Sequence, residues 1–219
     1  MKRILFVTDT YYPDSSATTT LGRRTAEALA QLGHSVDVYP AEISGNHFTY
    51  PSEYNGVTIK APQPPKGESF YMPVKASEDH PISQEQVDEL TRILLDKNYD
   101  CIFSVAIAFE VNFLVHQALK DLSSHSSLFT LHSSLPLWFP MAYDPYAFDP
   151  HVTPEQRKIR IEREQNALKD ATKVFFLTEF KEDYIGSPIE DKIEWFMLPC
   201  IKPPSPRRGS LQLLLILHI

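Results

Sequence analysis

Residues 4–39 read ILFVTDTYYPDSSATTTLGRRTAEALAQLGHSVDVY. The stretch opens on Ile4-Leu5-Phe6-Val7, a short continuous apolar run of the kind found in strands buried on both faces of a parallel sheet. A helical pattern follows, with Leu21, Thr25, Ala28, Leu29 and Leu32 spaced to form one face. Thr18 to Thr20 offer hydroxyls for the helix start, and Gly33 suits the left-handed residue that ends it. Val36-Asp37-Val38-Tyr39 is the next strand. Strand, helix and strand make a βαβ unit with a right-handed crossover.

The alternation continues along the chain. Val57-Thr58-Ile59 predicts a third strand, and residues 61–82 a long proline-rich loop. A helix is expected over 83–97, with Val87, Leu90, Ile93 and Leu94 on one face. A strand is expected over 100–104, and a helix over 108–122 with Phe109, Phe113, Val115, His116 and Leu119 supplying its apolar residues. Leu128 to Leu131 predicts a strand ending at His132. The aromatic stretch LPLWFPMAYDPYAFDP, 135–150, reads as a second long loop. Thr153-Pro154-Glu155 marks a helix start with proline at its first position; the helix runs to about Ala171. Strands over 173–177 and 193–198 enclose a short helix at 179–184. Strands alternating with helices specify an α/β, doubly wound, Rossmann-like parallel sheet.

The totals agree with one soluble domain and a remainder. The chain has 219 residues with 42% hydrophobic and 22% charged side chains, enough to bury a core without disulfides. A net charge of −7 disfavours a nucleic-acid partner, since phosphate binding needs a basic surface. Of the two cysteines, Cys101 falls in an apolar strand and reads as packing. The first apolar run is too short for a signal peptide, and no stretch reaches the roughly 18 apolar residues of a membrane span. A cytoplasmic protein is expected, with a Rossmann-like domain over 1–200 and a proline-rich linker and apolar tail over 201–219.

In a doubly wound sheet, ligands sit beyond the carboxyl ends of the strands. After the first strand stands Thr8-Asp9-Thr10-Tyr11-Tyr12-Pro13-Asp14-Ser15-Ser16-Ala17-Thr18. It lacks both the G-x-G-x-x-G dinucleotide fingerprint and the phosphate-cradling G-x-x-x-x-G-K-[ST] loop. Free N–H groups and hydroxyls at a helix start still suit an anionic or hydroxylated ligand. Capping of the helix by Ser16 and Thr18 explains the same residues equally well. His132 would face the cleft as a general base or a hydroxyl-positioning group; alone, it is more simply a histidine bonded to neighbouring loops. Tyr11, Ser104, Thr178 and Glu179 are the further cleft-lining candidates, although Thr178 and Glu179 also suit a helix cap. The histidines show no metal-ligand spacing. The aromatic loops (Phe70, Tyr71, then Trp138, Phe139, Tyr143, Tyr146 and Phe148) suit a sugar, a lipid surface, a docked domain or their own packing.

These pieces together resemble one family. The opening MKRILFVTDTYYPDSSATTT, the helix end ALAQLGHSVDV, the strand LFTLHSS, the segment NALKDATKVFFLTEFKEDYI and MLPCI at 197–201 are similar in order and spacing to the N-terminal domain of GT-B glycosyltransferases of the GT4 type. The resemblance covers residues 1 to about 201. It implies the acceptor-binding half of a retaining, metal-independent enzyme that transfers a hexosyl group from a nucleotide-sugar to a hydroxyl of a sugar or lipid-linked acceptor. His132 would then lie near the reaction centre, catalytic, and the Ser15-Ser16-Ala17-Thr18 loop would face the acceptor or the donor phosphates. The chain departs from the family where Ser15-Ser16 replace a glycine pair and Cys200-Ile201 replace an Asn-Gly. KPPSPRRGSLQLLLILHI, 202–219, stands where a donor-binding half would begin. That half is expected in another domain or a partner chain, without which the domain is expected to turn over little or nothing. A peripheral membrane contact would suit the aromatic loops. The other readings are the acceptor subunit of a two-chain glycosyltransferase and a non-catalytic carbohydrate- or protein-binding module.

Overall fold

A computed structural model describes residues 1–43, 48–62, 82–106, 110–124, 135–142, 153–176 and 184–195. The expected strand at 128–131, His132, Thr178, Glu179, the short helix at 179–183, the proline-rich 63–81 and the tail lie outside the described residues. The described elements run β1 (Arg3–Thr8), α1 (Ala17–Gln31), β2 (Ser35–Pro40), β3 (Glu53–Tyr54), β4 (Val57–Ile59), α2 (Gln84–Asp96), β5 (Cys101–Ala106), α3 (Glu110–Ser124), β6 (Leu137–Ala142), α4 (Pro154–Leu168), β7 (Val174–Phe176) and β8 (Ile193–Trp195).

The strands form one eight-stranded sheet in the order β3-β4-β2-β1-β5-β6-β7-β8. Every pairing is parallel except the β3–β4 hairpin. The chain leaves β1 toward β2 on one side and returns to β5 on the other, so the direction of winding reverses between β1 and β5. That reversal is the switch point at which an open α/β sheet forms its ligand crevice.

The helices divide unequally between the two faces. Ile4, Phe6, Val36 and Val38 turn toward α1, whose Ala26 and Leu29 are buried among them. Leu5, Val7, Tyr39 and Ile102 turn toward α2, α3 and the end of α4. The period of two along each strand produces this division. On the α1 face, Phe6, Phe103, Phe139 and Phe175 run across four strands, with centroid separations of 5.0, 5.2 and 6.4 Å. Cys101 lies on the same face; burial, then the Asp100 charge, pushes its thiol up to about 12.

The buried face of α1 differs from the sequence reading. Leu32 is 44% exposed, whereas Gly22, Thr25, Ala26 and Leu29 face inward. Gly22 decides this: a Cβ there would stand 3.3 Å from Val105 Cγ1, so the bare backbone lets α1 lie close on the sheet. On α3 the buried stripe is Val111, Leu114, Val115, Ala118 and Leu122, leaving Phe113 and Leu119 only half covered. The helix ends follow the expected chemistry. Gly33 has φ +88° at the end of α1, and Thr153 with Gln156 forms a reciprocal capping box at the start of α4.

The largest correction concerns β6. Residues 137–142, read as loop, pair in parallel along the whole of β5. Pro140 is tolerated because its missing N–H faces the sparsely paired side. Leu137 N–H bonds Asp100 O on the β5 side, while Trp138 N–H turns the other way to Thr172 Oγ1. Alternation puts the Pro140 nitrogen on that second side, where β7 pairs only with Met141 and Ala142.

Candidate functional site

At the switch point the β1–α1 loop folds onto one carboxylate. Asp14 Oδ2 accepts from the hydroxyls of Thr10 at 2.5 Å, Thr19 at 2.8 Å and Ser16 at 3.0 Å, and its Oδ1 accepts the Ser16 N–H at 2.9 Å. Thr10 and Thr19 hydroxyls are 2.6 Å apart, and Ser16 Oγ caps the Thr19 N–H at 3.4 Å. Partial burial opposes the charge on Asp14. The bonds from Thr10, Ser16 and Thr19 outweigh it and bring the carboxyl down to about 2. The chain's own anion thus holds the Ser16 N–H and three hydroxyls at the start of α1, in the position favoured by the helix dipole.

Replacement of Asp14 by alanine is expected to cost about 1 kcal/mol, the scale of a lost N-terminal cap. Because the folded carboxyl titrates below its ordinary 3.8, its contribution is complete above that pH and disappears as the pH falls through about 2. Acid unfolding followed by circular dichroism should thus be flatter in the variant between these values. Coincident acid profiles would remove Asp14 from this role.

More carboxylates stand around the same edge. Ala41 N–H bonds Thr8 O and Glu42 N–H bonds Asp9 O, each at 2.7 Å, carrying the β1–β2 pairing past the strand ends. Glu42 is 1% exposed, has φ +52°, and accepts the Phe48 N–H at 2.9 Å. Glu110, the first residue of α3, is buried and its Oε2 has no hydrogen-bond partner. Burial, reinforced by Asp9 and opposed by its own backbone N–H and Arg160, raises its pKa. Asp9, Asp14, Glu42 and Glu110 make this edge acidic. None of these carboxylates was singled out from sequence.

The structure separates the residues expected from sequence. Ser15 is exposed and Ser16 serves the Asp14 cluster; Ala17 and Thr18 open α1. Tyr11 and Ser104, expected to line the cleft, are buried instead. Tyr11 is 1% exposed within the α1-side core and its hydroxyl has no partner; burial, then Glu27, raises its pKa. Ser104 points the other way and is fully buried. It donates to Asn112 Oδ1 at 2.6 Å and accepts Trp138 Nε1–H at 2.8 Å. His132 lies outside the described residues. Among the described residues no group of three His, Cys, Asp or Glu could hold a metal ion, and no helix is long and apolar enough to cross a membrane.

The family-resembling Gly33-His34 pair has a structural role here. His34 N–H bonds Leu29 O at 3.2 Å, and its Nδ1 accepts the Lys2 N–H at 3.1 Å, fastening the end of α1 to the start of β1.

No protein-family model matches the chain, and no curated protein matches it. Among solved structures it is similar to sucrose-phosphate synthase from Thermosynechococcus elongatus, with a TM-score of 0.52 at 14% sequence identity. The alignment covers 91% of this chain and 48% of that one, so this chain spans about half of that enzyme's length. At this identity the likeness is one of fold: a mostly parallel α/β sheet shared with about half of that chain.

Proposed function

We propose that this chain is the acceptor-binding half of a glycosyltransferase that moves a hexosyl group from a nucleotide-sugar to a hydroxyl of a sugar or lipid-linked acceptor. The observation that carries the reading is the acidic switch point. A negative edge repels a diphosphate and leaves a neutral sugar hydroxyl unopposed. At the start of α1 Asp14 holds the Ser16 N–H and the Thr19 hydroxyl, and its charge opposes a phosphate there. The donor is therefore assigned to a second half, supplied by another domain or chain. The fold likeness to about half of sucrose-phosphate synthase supports this division. His132 is assigned to the reaction centre, with Thr178 and Glu179 beside the cleft, and no metal is required. One half alone cannot surround a transition state with its electrostatic stabilisers.

Calorimetric titration with UDP-glucose and GDP-mannose tests the proposal. The chain alone should show no saturable binding. Joined to a donor-binding half, it should transfer sugar. Saturable binding with transfer by the isolated chain would overturn the reading. In the joined enzyme His132→Ala should lower kcat by roughly a hundredfold or more, the range of general acid–base residues. An unchanged rate would remove His132 and leave the acceptor-half reading standing.

A further inference from the structure

A cavity lies near the amino end of β6, away from the strand ends that form the switch point. Its volume is about 420 Å³, within the roughly 300–1,000 Å³ range of small-molecule pockets. His116, Leu119, Lys120 and Ser123 of α3 line one side at helical spacing; Leu135, Pro136, Trp138 and Asp170 complete it.

Two of the walls are anchored by hydrogen bonds, and one polar atom is unspent. Trp138 is held through its indole N–H by Ser104, and His116 meets it edge-on with ring centroids 6.1 Å apart at 80°. His116 Nδ1 lies 2.8 Å from Ala167 O. A carbonyl oxygen only accepts, so Nδ1 carries the hydrogen and Nε2 presents a lone pair. Asp170 Oδ2 stands 3.9 Å from that nitrogen, too far for a hydrogen bond. The imidazole is 9% exposed. Burial and the neighbouring Lys120 lower its pKa, with Asp170 opposing and Lys169 adding, which favours the neutral ring. The aromatic and aliphatic walls supply the apolar contact.

We infer that this cavity binds a small amphipathic molecule, an aromatic or apolar ring bearing one O–H or N–H group that donates to His116 Nε2. The site stands apart from the switch point and is independent of the glycosyltransferase reading.

Phenol and toluene share a shape and differ in the donor, so they are the probes. Titration followed by NMR should show saturable phenol shifts at His116 and Trp138, with toluene at least about tenfold weaker. The His116 Nε2 nitrogen signal should move with phenol and not with toluene. Acidification that protonates Nε2 should abolish the preference, with Lys120, Lys169 and Asp170 the other charges facing the ring. His116→Phe should bind the two probes equally. Leu119→Trp, at a half-covered position, should fill the cavity and exclude both. The absence of saturable shifts at His116 and Trp138, equal affinities in the parent, or a preference that survives His116→Phe would overturn the inference. Should His116→Phe fail to fold, the Nε2 signal in the parent decides the question by itself.

Discussion

Trp138→Ala is expected to remove about 3–5 kcal/mol of stability, the range for truncating a buried aromatic side chain. A domain's whole margin is about 5–15 kcal/mol, so much of the variant should be unfolded under mild denaturant. Among the described residues Trp138 is the largest fully buried side chain, 1% exposed. It joins three elements: β6 carries it, Ser104 of β5 accepts its indole hydrogen, and His116 of α3 packs against its ring. Alanine would leave a void among these elements and deprive Ser104 Oγ of a donor. The network has no slack, because Asn112, which accepts from Ser104, already has an unpaired amide nitrogen. Trp138→Phe retains most of the volume and loses the N–H, so about 1–2 kcal/mol is expected. Urea unfolding followed by far-ultraviolet circular dichroism separates the two. An alanine variant as stable as the phenylalanine variant would mean that packing around Trp138 contributes little.

The fold was legible where periodicity was strong and local. Ile4 to Val7, Val36 to Tyr39 and Cys101 to Ser104 are near-continuous apolar runs, and all became central strands. Ser83 and Thr153 start the helices whose first turns they were read to mark. The misreadings have physical causes. The β3–β4 hairpin was missed although Asn55-Gly56 stands at its turn with φ +50° and +80°, the residue pair such turns favour. Strand β6 was read as loop because Pro136 and Pro140 are punctuation in most contexts. Which side of a strand a proline nitrogen faces depends on its neighbours, and a single sequence does not contain that. The α1 stripe was displaced because apolarity was counted and closeness was not: Gly22 lies inside and Leu32 outside.

The site was less legible. The β1–α1 loop and its hydroxyls are legible in the chain from their place after the first strand. The missing part was Asp14, because carboxylate and hydroxyls converge only when the loop folds back from Thr10 to Thr19. Glu42 and Glu110 follow different strands and meet the same edge only through the sheet order. Ser104 stands in β5 and Tyr11 follows β1, and the pleat and the loop path turn both side chains inward.

The second large effect is expected at Asp37. The residue is 1% exposed in the middle of β2. Lys97 Nζ approaches its two carboxylate oxygens at 2.9 and 2.8 Å, and Tyr99 donates its hydroxyl at 2.7 Å. Burial and the bond to Asp37 raise the pKa of Tyr99, keeping the phenol a donor. Lys97→Met removes the counter-charge and leaves a buried carboxylate with one strong donor. Breaking a buried pair in this way costs about 3–5 kcal/mol. The Lys97 side chain is 33% exposed, so water can follow it in, and the expected loss is toward the lower end, about 2–4 kcal/mol. Its size belongs mostly to the orphaned charge rather than to the attraction. Asp37→Val, Lys97→Met and Tyr99→Phe together remove every member, and valine continues the Val36 to Val38 pattern of β2. Apolar replacement of a whole buried ionic group is often neutral or stabilising, so the triple variant should return to within about 1 kcal/mol of the parent. Urea midpoints for the parent, the single variant and the triple variant measure both quantities. If the triple variant loses as much as Lys97→Met, the ionic group itself holds α2 to the sheet, and the argument from an orphaned charge fails.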